Sequence, residues 1–479
     1  MSMPSALAEA ARPSASSRTS QSKSNSENHK DTAAASALQK LERHILMDGF
    51  KIVFDLERSR GSYMYDAATG HRLIDFYGFF GSVPVGFNHP HFDRPEVKEE
   101  LLRAAKTKIA NSDVYSEQYA EFVETFTRVA GLPPLERYLF IEGGALAIEN
   151  CLKAAMDWKV RKNMAGGRGH ARNAAHSVAG GERGTEILHF RSAFHGRSGY
   201  TMSLTNTDPR KVELFAKFDW PRVSTPFINF ALEGEAREQD VIAREKKSEE
   251  EIRKFIAERG VDIAAIIIEP IQGEGGDNHF RGEWLQTLRR ICDENEMLLI
   301  FDEVQTGLGT TGKVWASQHF GVKPDLMAFG KKVQVCGVMA GPRLDEVEDN
   351  AFRLPSRLNS TWGGNFTDMV RSKHYLRIIE AENLMENARV MGERILAALH
   401  HIAAESGTIN AVRGRGLFIA FDLPDATRRD QVWKELYDRG LLVLKSGERA
   451  IRFRPALDIT ADVVDEAMEI LRQECRRLV

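Results

Sequence analysis

Three segments near the middle of the chain set its architecture. VDIAAIIIEP (261–270) and LLIFDEV (298–304) are almost continuously apolar up to an acidic end, as strands buried on both faces must be. Between them, EWLQTLRRICDENEM (283–297) repeats Trp284, Leu288, Ile291 and Cys292 at helical spacing. The pattern predicts a strand, a crossover helix and a parallel strand. The same alternation runs from about residue 91 to 355, so the expected fold class is α/β: a large domain with a mostly parallel sheet wrapped by helices on both faces.

After about residue 356 the pattern changes. LFIAFDL (417–423), a helix from 426 to Gly440, LLVLKSG (441–447) and AIRFRPAL (450–457) precede a closing helix after Thr460, whose Val464, Met468, Leu471 and Cys475 share a face. These predict a smaller α/β domain over 356–479, built with residues 37–90 from the other chain end. There YMYDAATGHRLIDFYG (63–78) reads as two short strands about a turn at Thr69-Gly70. Residues 1–36 hold no Val, Ile, Phe, Trp or Tyr and predict a disordered tail. The Gly-, Ala- and Arg-rich stretch 162–184 predicts a long surface loop.

Lys plus Arg total 65 against 68 Asp plus Glu, too balanced for an electrostatically driven nucleic-acid binder, so small-molecule chemistry is expected. No apolar run approaches the roughly 18–20 residues of a membrane helix, and no secretory leader is evident. Cys151, Cys292, Cys336 and Cys475 lie far apart without a CxxC spacing, which points to a reducing cytoplasm and to no thiolate metal site. His89 and His91 flank Pro90 in a turn-like stretch and read as solvated loop histidines rather than metal ligands.

Sheets of this kind place ligands beyond the carboxyl ends of their strands, where Glu269 and Asp302 stand. GLGTTGK (307–313) fits both a dinucleotide fingerprint and a phosphate loop, but Val314 occupies the position of the magnesium-binding hydroxyl and Asp325 lies in a turn. Asp302 ends one predicted strand, and Lys331 follows LMAFG (326–330), another. An ordinary ion pair suits that spacing as well as a reactive amine does. Pyridoxal phosphate decides between them, since it needs a lysine for its aldehyde, an acid for its ring nitrogen and a phosphate cradle. Gly143-Gly144-Ala145, between a strand and a helix in RYLFIEGGALAIENCLKAAMDW (137–158), offers such a cradle.

With FIEGGALAIENCLKAAMDWK (140–159), FRSAFHGRSGYTMSLTNT (190–207), IIIEPIQGEGGDNHFR (266–281), FDEVQTGLGTTGKVWA (301–316), PDLMAFGKKVQVCGVMAG (324–341), NSTWGGN (359–365) and IRFRPAL (451–457) in this order, the chain resembles the class III, fold-type I pyridoxal-phosphate aminotransferases from about residue 40 onward. GGALAIEN and GKKVQVCGVMAG point within that family to members acting on the terminal amine of lysine. The resemblance implies transfer of the ε-amino group of L-lysine to 2-oxoglutarate by a ping-pong exchange, giving 2-aminoadipate 6-semialdehyde and L-glutamate. Ornithine or 4-aminobutyrate is the runner-up donor. A nucleotide-binding protein using GLGTTGK is a distant alternative, and a pyridoxal-binding regulator lacks a helix-turn-helix or basic patch to support it.

On individual positions the resemblance implies Lys331 as the Schiff-base residue, with Lys332 a structural or surface charge. Asp302 would face the pyridine nitrogen, Gln305 the phenolic oxygen and the substrate side of the ring, and Phe194 the ring face. Gly144 and Ala145 would hold the phosphate, together with Thr361 from a neighbouring subunit, so a homodimer is implied. Arg197 would take the α-carboxylate of lysine. Arg452 and Arg454 share one strand face; one of them, by the family pattern Arg452, would take a carboxylate of the oxo acid. Glu274 would cover Arg452 when lysine binds, with Gly273, Gly275 and Gly276 as its hinge.

Overall fold

The computed structural model describes residue 34, residues 36–168 and residues 182–478. Nearly all of the predicted tail, and residues 169–181 of the predicted loop, lie outside these. The start of that loop is helical instead, because the helix beginning at Gly144 continues to Ala165.

Seven strands make the main sheet: β1 (Arg137–Ile141), β2 (Glu186–Phe190), β3 (Arg222–Val223), β4 (Ile263–Ile268), β5 (Leu298–Asp302), β6 (Leu326–Phe329) and β7 (Cys336–Ala340). Their spatial order is β1-β7-β6-β5-β4-β2-β3. Neighbours from β3 through β6 are parallel, while β7 is antiparallel to both β6 and β1. Residues 330–335 between β6 and β7 are too few for the crossover of roughly a dozen residues that a parallel neighbour needs, so the chain turns straight back. That reversal carries Lys331.

The apolar runs are explained by burial on both faces. Ile266, Leu299, Phe301, Met327 and Phe329 pack into one core, and Ala265, Ile267, Leu298, Ile300 and Ala328 into the other. Helix α1 (Gly144–Ala165) covers the second face with Ile148, Cys151, Leu152, Ala155 and Trp158. Helix α2 (Gly282–Glu294) covers the first with the predicted stripe of Trp284, Leu288, Ile291 and Cys292, and with Leu285. Each Leu, Ile, Phe or Met among them contributes about 1.5–3 kcal/mol by leaving water, which holds the strand ends in fixed register.

A second, antiparallel sheet joins β8 (Asn410–Arg415), β9 (Phe418–Asp422), β10 (Leu444–Ser446) and β11 (Ala450–Phe453) in the order β8-β9-β11-β10. The predicted strand 441–447 is broken: Leu441 and Leu442 pair in parallel with Ile74 and Asp75, and β10 starts only at Leu444. The two C-terminal helices form at Ala426–Asp438 and Ala461–Arg477.

By contacts the described residues fall into two units, one up to Ser59 with Met64–Arg72, the other Arg60–Tyr63 with Leu73 onward. In the first, Asp66 organises the turn expected at Thr69-Gly70, accepting from the Ala68 amide and the Thr69 hydroxyl. All residues of the site lie in the second. There His89 and His91 are half-buried and partnered: His89 meets Glu382 at 3.1 Å and His91 meets the His374 ring at 3.0 Å. Among the described residues no helix is long and apolar enough to cross a membrane.

Candidate active site

Two adjacent parallel strands bring the expected acid and amine to one place. Ala328 on β6 lies beside Asp302, the last residue of β5, and Lys331 follows just beyond. Both line a cavity of about 340 Å³ at the carboxyl edge of the sheet. Lys331 has left-handed backbone (φ 47°), which a residue with a side chain holds only where its surroundings enforce it. Here the Gln334 amide donates to Lys331 O at 2.8 Å, and Gln334 Nε2 donates to the same carbonyl and to Ser82 O.

Burial, then the charges of Arg452 and Arg454, bring the Lys331 amine down to about 8, against the opposing pull of Asp302 and Glu274. Lys332 points elsewhere. It is fully buried, donates to Val83 O at 2.7 Å and Pro455 O at 3.2 Å, and burial brings it to about 7. Of the two roles left open for it, a structural charge and not a surface one is what the fold realises.

Asp302 is held from two sides: the Val304 amide donates to Oδ1 at 3.1 Å, and His195 Nδ1 lies 2.8 Å from Oδ2. His195 is buried, and its Nε2 has no hydrogen-bond partner among the described residues. Glu269, the residue after β4, accepts from the Phe194 amide at 3.0 Å and the Gly273 amide at 2.9 Å. Burial raises its carboxyl well above the ordinary range, reinforced by Asp302 and opposed by His195 and the two amides. Phe194 lines the cavity wall, with Arg197 exposed at the mouth, its guanidinium 6.0 Å from the Phe194 ring centre.

Also at the cavity, α1 begins without a side-chain cap. Gly143 supplies left-handed backbone (φ 92°) with open space where a side chain would be, and a Cβ on Gly144 would press on Val304 at 3.0 Å. The first amides of this helix of 22 residues therefore face the cavity free to bind an anion. An anion cradle, an apolar ring, a strand-end carboxylate and an amine of lowered pKa surround one hollow, and this set suits pyridoxal phosphate.

Gln305 is fixed by two arginines, not one. Its Oε1 accepts from Arg452 Nη1 at 3.3 Å and from Arg454 Nε and Nη2 at 3.2 and 3.1 Å. Sequence alternation placed both on one face of the strand segment, and both turn to Gln305, Arg452 from β11 and Arg454 from just beyond its end. Their other partners differ: Arg452 Nη2 donates to Glu274 at 2.9 Å, whereas Arg454 is bound to Asp277 with both side chains fully buried. Glu274 also pairs with Lys211. Burial pushes the Glu274 carboxyl up, but Arg452 and Lys211 together outweigh it and hold the group below its ordinary value.

Of the three glycines expected as a hinge, Gly273 and Gly275 are closely packed. A Cβ on Gly273 would come 2.4 Å from Gln305 Oε1, and one on Gly275 would come 1.9 Å from Ser192 O. Both glycines are there for close approach.

Thr361 is exposed, its carbonyl accepting from Ser112 Oγ, and it does not line the cavity of its own chain. Residues 304–315 form successive turns and bends with Lys313 exposed, so GLGTTGK opens no helix on which a nucleotide phosphate could sit. A larger hollow, about 620 Å³, adjoins Asp157, whose buried carboxylate is already paired with Arg161 and Arg357. Glu269 lines the cavity at the strand end where the sequence placed it, whereas His195 and Cys336 in the lining, and Lys211 beside Glu274, were not singled out by the sequence.

The chain matches the family model described as Aminotransferase class-III over residues 47–474. It is 50% identical over 434 residues to an L-lysine-epsilon aminotransferase of Mycobacterium tuberculosis, covering 90% of this chain and 93% of that one. With the L-lysine-epsilon aminotransferase of Streptomyces clavuligerus it shares 45% identity over 437 residues, 90% of this chain and 92% of the relative. The solved lysine aminotransferase from M. tuberculosis superposes with a TM-score of 0.88 at 48% identity, over 93% of this chain and 99% of that chain.

Proposed function

This chain belongs to the class-III aminotransferase family, which works with pyridoxal 5′-phosphate, and from that premise we propose that it transfers the ε-amino group of L-lysine to 2-oxoglutarate. The products are 2-aminoadipate 6-semialdehyde and L-glutamate, and the two substrates take turns in one site. When bound, the cofactor supplies an aldehyde that accepts the amino group and a protonated ring that draws electrons from the reacting carbon.

Lys331 is the amine that holds the cofactor and carries the proton at the reacting carbon. Asp302 keeps the ring nitrogen protonated, and His195 and the Val304 amide hold that carboxylate in place. Phe194 covers the ring face, and the Gly144 and Ala145 amides hold the phosphate. Thr361 adds its hydroxyl from a second copy of the chain, so the working unit is a homodimer, in the reducing cytoplasm that its four unpaired cysteines suit. Since Gln305 Oε1 is taken by two arginines, its amide N–H₂ is the end that donates to the phenolic oxygen.

One observation carries the substrate reading: Arg452 is covered by Glu274. That leaves Arg197 as the open arginine of the mouth. A donor with one carboxylate far from its reacting amine fits this charge pattern, and a dicarboxylate fits once Arg452 is freed. The test is a spectral titration of the purified holoenzyme with lysine, ornithine and 4-aminobutyrate. Lysine should convert the cofactor to its amino form at the lowest concentration, and conversion by either other amine at lower concentration refutes the assignment.

A further inference from the structure

Glu274 has two cationic partners, and the exchange just described uses one. We propose that Lys211 is a specificity-determining residue for the dicarboxylate half of the reaction: it retains Glu274 while Arg452 changes partner. The inference rests on the reading of Arg452 as the carboxylate-binding arginine.

The backbone carrying Glu274 is clamped along its length. The Gly273 amide donates to Glu269, and the Gly447 amide donates to Glu274 O at 3.0 Å. Arg413 donates to Gly276 O at 2.7 Å and Asp277 O at 3.0 Å, and Ser446 Oγ donates to the Asp277 carboxylate at 2.7 Å. With Gly275 pressed on Ser192 O, little freedom remains for a hinge. Movement falls to the Glu274 side chain, whose two oxygens are already divided: Oε1 to Lys211, Oε2 to Arg452.

That division makes release one-sided. Freed from Arg452 alone, Glu274 keeps Lys211 on its other oxygen and needs only a small rotation. Without Lys211 the same step would strand a carboxylate that is three-quarters buried, with a like charge arriving beside it. The charge count agrees, because Arg452 and Lys211 against Glu274 leave one positive charge. A single incoming carboxylate neutralises it with Glu274 still in place. Lys211 is also well seated for this, ending the short turn Pro209–Lys211, with its amine 5.5 Å from the centre of the Phe194 ring.

The test is calorimetric binding of glutarate, a dicarboxylate without a reactive oxo group, to the holoenzyme and to Lys211→Met, Glu274→Ala and the double variant. No amino donor is present, so the result does not depend on which amine the enzyme prefers. Lys211→Met should weaken glutarate about tenfold, Glu274→Ala should tighten it, and Lys211→Met on the Glu274→Ala background should shift it less than about twofold. Lys211→Arg, which keeps the charge, should bind close to wild type, and Lys211→Gln should repeat the methionine result. Equal weakening in both backgrounds would reduce Lys211 to a general attractor of anions and overturn the proposal. So would tighter binding in Lys211→Met, which would make Lys211 a latch on the closed pair. A wild-type enzyme that binds no glutarate overturns the dicarboxylate acceptor itself, and this inference with it.

Discussion

The amine of Lys331 should react as a nucleophile at neutral pH even before any cofactor is loaded. Burial and the two nearby arginines bring it to about 8. At pH 7.5 about 24% of such an amine is neutral, against about 0.1% of an ordinary lysine, a gain of roughly 200-fold in reactive form. The assay is trace acetylation of the cofactor-free protein across a pH series, with the label at each lysine read by mass spectrometry. Label at Lys331 should rise with a midpoint near pH 8, while exposed lysines follow near 10. Lys332 provides the control, because its amine is buried against two carbonyls and should stay unlabelled although its own value is about 7. Arg452→Met should move the Lys331 midpoint upward, since Arg452 is the largest charge acting on it after burial. A Lys331 midpoint at 10 or above, or label arriving first on Lys332, would refute the electrostatic reasoning.

Two further outcomes concern stability. Asp277→Asn leaves the fully buried Arg454 charge without its counterion, which costs about 3–5 kcal/mol; with about 400 residues unfolding, the thermal midpoint should fall by roughly 5 °C, and an unchanged midpoint would show the pair to be idle. Lys332→Met probes the sign of a lowered lysine. Its folded value, about 7, lies below the unfolded value of roughly 10.4, so the unfolded chain binds more proton in between and the stability due to Lys332 grows from pH 7 to 10 and fades as pH falls through 7. The penalty of the substitution in denaturant titrations should therefore be larger at pH 9 than at pH 6, and the reverse order would contradict the burial of this amine.

Much of the architecture was legible along the chain because burial on both faces writes itself locally. The strands at 263–268 and 298–302 and the helix between them follow from apolar runs and spacing alone. Strand ends are legible for the same reason, since a carboxylate or amine directly after an apolar run must stand at the sheet's edge; Asp302 and Lys331 were found so. The broken strand at Val443 and the helix continuing through 162–165 were not visible, because pairing and packing there override composition.

What the chain determined by itself, then, is which residues reach the carboxyl edge of the sheet and which chemistry they can offer. Only the tertiary structure decided their partners. His195 meets Asp302 across 107 positions, Lys211 meets Glu274 across 63 and Arg454 meets Asp277 across 177, and no local periodicity relates such residues. Ion pairs and hydrogen bonds of this kind act over a few ångströms of space, so they exist only after the two sheets have placed β11, the 273–277 turn and the 194–197 loop side by side.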